Sequence, residues 1–143
     1  MYFGPLSASL DVKGRGAVPT RYREALGKDC VLTGDPAGCL LLMPLAHWAA
    51  FEERVNALPN LSAGVRAMQM LWLSRHDLEL DAAGRIVIPP EYREMARIDR
   101  KVYFVGVKDR VEIWSEARWL ARIALAEKTY AELPSADLSQ LAV

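Results

Sequence analysis

Apolar residues at Trp48, Phe51, Val55 and Leu58 recur every three or four positions, which places them on one face of a helix. Pro44 and Pro59 bracket that segment as start and stop signals. The same spacing returns from Ser62 to Leu73 in Val65, Met68, Leu71 and Trp72. It returns again after Ser115, an apt N-cap, in Trp119, Ile123, Ala126 and Tyr130, and Pro134 ends that run. Elsewhere the pattern shortens. "CVLTGDPAGCLLLMP" (residues 30–44) and "KVYFVGVKDRVEIWS" (residues 101–115) are each two apolar runs flanking turn formers. Each predicts a β-hairpin.

These elements occur in two matching sets. "LDVKGRGAVPTRYREAL" (residues 10–26) and "LDAAGRIVIPPEYREMA" (residues 80–96) agree at eight of seventeen positions. A hairpin and a Trp-bearing helix follow each copy. The order motif, hairpin, helix therefore appears twice, with a first half at residues 1–58, a bridging helix at 59–75 and a second half at 76–133. Residues 134–143 carry no strong signal and read as a flexible tail. Neither half is long enough to bury a good core alone. The expected fold is α+β, with two pseudo-equivalent hairpin units forming one compact β-barrel-like core and helices outside it. Trp48 and Trp119 are expected to pack those helices onto the core.

Within the motif, Asp11 through Gly14 reads as a turn. Asp accepts backbone N–H bonds, and Gly tolerates positive φ. Gly16-Ala17-Val18 is extended before Pro19, and Pro19 suits a helix start. The second copy repeats this with Asp81, Gly84, Arg85 and Pro89, and its Ile86-Val87-Ile88 is the better strand. Each turn puts a cation beside a carboxylate at a surface tip. Two uses fit that arrangement: a salt bridge that only holds the turn, or a paired basic device that meets an anion.

Charge bears on that choice. The chain carries 18 basic and 18 acidic residues, so a surface that binds polyanions everywhere is excluded. Yet residues 11–28 hold five basic against two acidic side chains, and residues 85–101 hold five against three. From Glu116 onward acids outnumber bases, four to three. The positive excess thus sits on the repeated motif, as contact with phosphates requires. Arginine's planar fork suits phosphate and guanine alike.

No apolar run approaches a membrane span, and the opening "MYFGPLSASLD" lacks the features of a signal peptide, which implies a cytoplasmic location. Cys30 and Cys39 have no metal-ligand spacing and read as buried free thiols. His47 and His76 stand alone, so no metal or cofactor is expected.

The two motifs, Gly4 of "MYFG", the hairpin "VYFVGVKDRVEIWS" and Trp119 together resemble the MraZ family of bacterial transcriptional regulators, over roughly residues 1–132. The resemblance implies an AbrB/MazE-like swapped-hairpin fold with two such units per chain. It implies a homo-oligomeric ring of the octamer or dodecamer class. The implied partner is double-stranded promoter DNA with direct repeats, at the chain's own division and cell-wall gene cluster, with a nucleoid-associated location. Asp11, Arg15, Asp81 and Arg85 would face the DNA, with Lys13 on the first turn only, since Ala83 takes its place in the second. Gly14, Gly84, Pro19, Pro89, Arg23 and Arg93 would support the turns. Gly16 and the charged His76-Asp77 stretch depart from the usual pattern. An antitoxin-like protein-binding module is the alternative, although such modules rely on a long disordered tail. An enzyme using Cys30 or Cys39 with His47 is a third, but no spacing orients that pair.

Overall fold

The first half of the chain begins with strand β1 (Phe3–Ser9), the Asp turn, the three-residue strand β2 (Arg15–Ala17) and helix α1 (Thr20–Leu26). The predicted hairpin follows as β3 (Asp29–Gly34) and β4 (Leu40–Pro44), then a 3-10 turn and helix α2 (Trp48–Asn56). Helix α3 (Ala63–Trp72) bridges to the second half, with Ser62 Oγ capping it by accepting the N–H of Val65. The second half repeats the order as β5 (His76–Glu79), β6 (Arg85–Val87), α4 (Pro90–Met95), β7 (Lys101–Val107), β8 (Arg110–Ser115) and α5 (Glu116–Ala131). These elements come from a computed structural model that describes residues 3–59 and 62–141. Residues 135–141, in the stretch expected to be a loose tail, form the short helix α6 (Ser135–Leu141).

Pro19 and Pro89 precede their helices rather than open them. Both hold extended backbone, so the helices start at Thr20 and Pro90. The second hairpin closes through Lys108, whose φ of +55° is unusual for a non-glycine residue. The first closes through Asp35, which accepts the N–H of Ala37 and also the indole N–H of Trp72 at 2.7 Å. That second bond ties α3 to the hairpin tip.

Six strands form one antiparallel sheet in the order β1-β7-β8-β4-β3-β5. Every pairing except the two hairpins joins one half to the other: β1 lies on β7, β5 on β3, and β4 on β8. Each half therefore lends its first strand to the other half's hairpin. The expected barrel does not close. β1 and β5, followed by Leu10 and Leu80, remain as sheet edges, since each pairs with a strand of the other half's hairpin and not with the other. The N–H groups of those two residues donate to the Arg100 and Lys28 carbonyls at 2.7 and 2.9 Å. The chain then runs into a separate two-stranded ribbon, β2 with β6, lying over one sheet face.

Between ribbon and sheet lies the main core: Leu10, Val18, Tyr22, Leu32, Leu42, Ile86, Ile88, Phe104 and Ile113, among others. Burial of each large side chain there stabilises the fold by roughly 1.5–3 kcal/mol. The other sheet face packs Val31, Leu41, Met43 and Trp114 against Trp48, Phe51 and Val55 of α2. The first hairpin is thus buried on both faces, which explains its unbroken apolar runs. Helix α5 differs. Its first turn packs through Trp119, 6.0 Å from the Trp114 ring and 6.1 Å from the Tyr103 ring. None of its sixteen residues is buried, and the face expected to pack leaves Ile123 and Tyr130 exposed.

Candidate nucleic-acid interface

The two Asp turns have the same construction. Asp11 Oδ1 accepts the N–H groups of Lys13 and Arg15, each at 2.9 Å, and Asp11 Oδ2 takes the Arg15 Nε–H at 3.1 Å. Asp81 does the same for Ala83 and Arg85, at 2.9, 2.9 and 2.8 Å. Main-chain bonds close each loop: Gly14 N–H to Asp11 O and Asp11 N–H to Arg15 O, with the same pair between Gly84, Asp81 and Arg85. Gly14 and Gly84 sit at φ of +83° and +75°, where a side chain is strained. The Arg15 backbone N–H, first among several donors, holds the Asp11 carboxyl below its ordinary range, and the Arg85 backbone N–H does so for Asp81.

The turns are locked to each other. The Val18 N–H donates to the Gly84 carbonyl, and the Ile88 N–H donates to the Gly14 carbonyl, both at 2.9 Å. Arg23 donates Nε–H to Val18 O at 2.7 Å, and its guanidinium lies against Gly84, the opposite turn. Arg93 donates to Ile88 O at 3.0 Å and lies against Gly14. The family resemblance implies that these arginines support the turns, without saying which turn each one serves. The structure sends each beneath the other copy's turn. Only a view of the two motifs as partners could have found this, since nothing within one copy signals it.

Ribbon register decides what faces outward. Arg15 pairs with Val87, Gly16 with Ile86, and Ala17 with Arg85. Gly16 and Ile86 are buried; Arg15, Ala17, Arg85 and Val87 are exposed. Both arginines therefore stand on one outer face as diagonal neighbours, with Cα atoms roughly 7–8 Å apart by sheet geometry. Each has an exposed side chain paired with its own aspartate through Nε, which leaves the Nη edge of the fork toward solvent. Lys13 is exposed at the first tip, and Ala83 at the second.

Gly16 has a packing reason: a Cβ there would stand 2.6 Å from Leu10 Cδ2. Its strand is as long as that of Ile86. Asp77 is held by Arg75, whose Nε–H and Nη2–H reach it at 2.6 and 3.0 Å. Its charge is compensated before it reaches the second turn.

The cysteines are free and buried, on opposite faces of the sheet, Cys30 in the main core and Cys39 in the α2 cluster. Burial pushes the Cys30 thiol up to about 11 and the Cys39 thiol higher still. His47 is exposed in the 3-10 turn, and the His76 ring lies 5.6 Å from the Tyr92 ring. Among the described residues no group of three or more His, Cys, Asp or Glu side chains could hold a metal. No helix among them is long and apolar enough to cross a membrane.

The family model for the MraZ protein, described as antitoxin-like, matches residues 1–71 and again residues 72–139. A protein of Thiobacillus denitrificans named transcriptional regulator MraZ is 41% identical over 131 residues, covering 88% of each chain. Its namesake in Desulfitobacterium hafniense is 41% identical over 132 residues, covering 92% of each. That of Moorella thermoacetica is 42% identical over 120 residues, covering 83% of this chain and 84% of its own. The doubled Asp–Arg turn, the doubled family match and the identity along nearly the full length agree: this chain belongs to the MraZ family.

Proposed function

We propose that this chain is a DNA-binding transcriptional regulator that presents its β2–β6 ribbon and both Asp turns to promoter DNA. The single observation that carries this is the ribbon register, which sets Arg15 and Arg85 on one exposed face. A two-stranded ribbon fits the major groove, where an arginine fork meets guanine or phosphate. The names of the relatives support the same role. Asp11 and Asp81 orient the arginines, Lys13 adds a phosphate contact, and the glycines, prolines, Arg23 and Arg93 hold the frame. In this view residues 1–58 and 76–133 are two AbrB/MazE-like units that exchange their first strands. Residues 59–75 bridge them. The working location is cytoplasmic, on the nucleoid.

One chain offers few cations, so tight binding needs several chains on one DNA. The uncovered apolar side chains of α5, Leu120, Ile123, Leu125 and Tyr130, suit contact with further copies of this chain in a closed ring of the octamer or dodecamer class. A ring engaging direct repeats multiplies weak contacts through effective concentration. The target expected is the promoter of the chain's own division and cell-wall gene cluster.

The test is selection of bound fragments from genomic DNA, comparing the natural chain with the Arg15→Ala/Arg85→Ala variant. Enrichment of tandem repeats by the natural chain, lost in the variant with its melting temperature kept, is the expected result. Equal retention by both proteins overturns the assignment of the turns. Co-purification of a stoichiometric second protein, with no DNA retained, favours the antitoxin-like alternative.

A further inference from the structure

Val12 stands at the tip of the first turn with 87% of its surface exposed. Turn chemistry does not ask for it, because such positions favour Gly, Pro, Asn, Asp and Ser. Nor does the turn use its side chain: every bond that closes the loop runs through main-chain atoms or the Asp11 carboxylate. The second turn, closed by the same bonds, has Ala82 at the matching place and Ala83 opposite Lys13. The two tips therefore share one backbone frame and differ in two side chains.

We infer that Val12 is a specificity-determining residue that packs against the C5 methyl of a thymine in the major groove, with Lys13 on the adjoining phosphate. This rests on the DNA-binding role proposed above. Valine has no donor or acceptor, so it cannot read a base by hydrogen bonding. The thymine methyl is the apolar mark that the major-groove edge presents. A β-branched side chain is stiff at χ1, and the backbone beneath it is pinned, so little freedom is lost on contact. Arg15 and Lys13, on the same turn, bring the phosphates and base edges to it. Ala82 is too short to make the same contact. The bound box accordingly has polarity: the part under the first tip favours a thymine that the part under the second does not.

The test uses the full chain and the fragment it selects from genomic DNA. Each thymine of the bound box is replaced in turn by deoxyuridine, which lacks only the methyl group, and affinity is read by anisotropy at fixed salt. The natural chain is expected to lose about threefold to fivefold at one position, the worth of roughly one buried methyl group. Val12→Ala is expected to bind the parent box weaker by a similar factor and to be indifferent to deoxyuridine there. Replacing that thymine by 5-methylcytosine, with its partner changed, is expected to restore part of the Val12 dependence. Binding that tolerates deoxyuridine at every position, or a deoxyuridine penalty equally large in Val12→Ala, overturns the inference and leaves DNA binding standing. Failure of the natural chain to retain any genomic fragment removes the DNA-binding role and this inference with it.

Discussion

Gly14 and Gly84 each stand where a side chain meets both backbone strain and a neighbour. A Cβ on Gly14 would come 2.5 Å from the Ile88 carbonyl oxygen, a backbone atom that cannot step aside. Gly14→Ala is expected to cost about 1–2 kcal/mol for the left-handed backbone alone, and more for the clash. The expected reading is a melting temperature several degrees lower in calorimetry. Gly64 is the control: it lies in the first turn of α3 without positive φ, and its nearest neighbour to a Cβ is 3.8 Å away. Gly64→Ala is expected to leave the melting temperature level or raise it. The turn carboxylates give a pH prediction. The folded-state values of Asp11 and Asp81 lie below the ordinary carboxylate range because the backbone N–H groups of Arg15 and Arg85 donate to them. A depressed folded value stabilises above the unfolded value, and that contribution is lost as pH falls through the folded one. Protection of the Lys13 and Arg15 amides, their exchange rate relative to the unstructured chain at the same pH, should therefore be level from neutrality down to about pH 4 and fall below it. In Asp11→Asn the acid step at those two amides should be absent.

Among the elements, Arg23 and Arg93 make a prediction that a single-motif view does not. Arg23 belongs to α1 but lies against Gly84. Arg23→Ala is expected to loosen the Asp81 turn more than the Asp11 turn, visible as faster exchange at the Gly84 and Arg85 amides. Faster exchange confined to the Asp11 turn would contradict the crossed packing. Helix α5 answers to a different measurement. Leu125 is 59% exposed, so Leu125→Glu should leave the melting of a separate chain within about 0.5 kcal/mol of its original stability. Mass photometry should show smaller assemblies. The sequence made most of the elements legible. Apolar spacing located α2, α3 and α5, turn formers located both hairpins, and the repeat exposed the two turns. Strand exchange was not legible from periodicity, because a period of two says which face a strand buries and not which strand lies beside it. The open sheet was missed for the same reason: closure depends on which strands β1 and β5 lie beside, and their neighbours β7 and β3 come from the other half of the chain.

For the molecule as a whole, net charge misleads. A chain with equal numbers of acids and bases still exposes Arg15 and Arg85 on its β2–β6 ribbon and Lys13 on the first turn, with each arginine held through Nε by its own aspartate. DNA affinity should accordingly fall steeply with salt, and Lys13→Ala should reduce the slope of log affinity against log salt by about one per chain engaged. The crossed hydrogen bonds from Val18 to Gly84 and from Ile88 to Gly14 bind the halves into one rigid frame with near two-fold symmetry. Two separate chains in this arrangement would show every substitution twice, once at each tip. Joined in one polypeptide, the tips can change one at a time, so a fused pair can recognise an asymmetric target on a scaffold that itself stays symmetric.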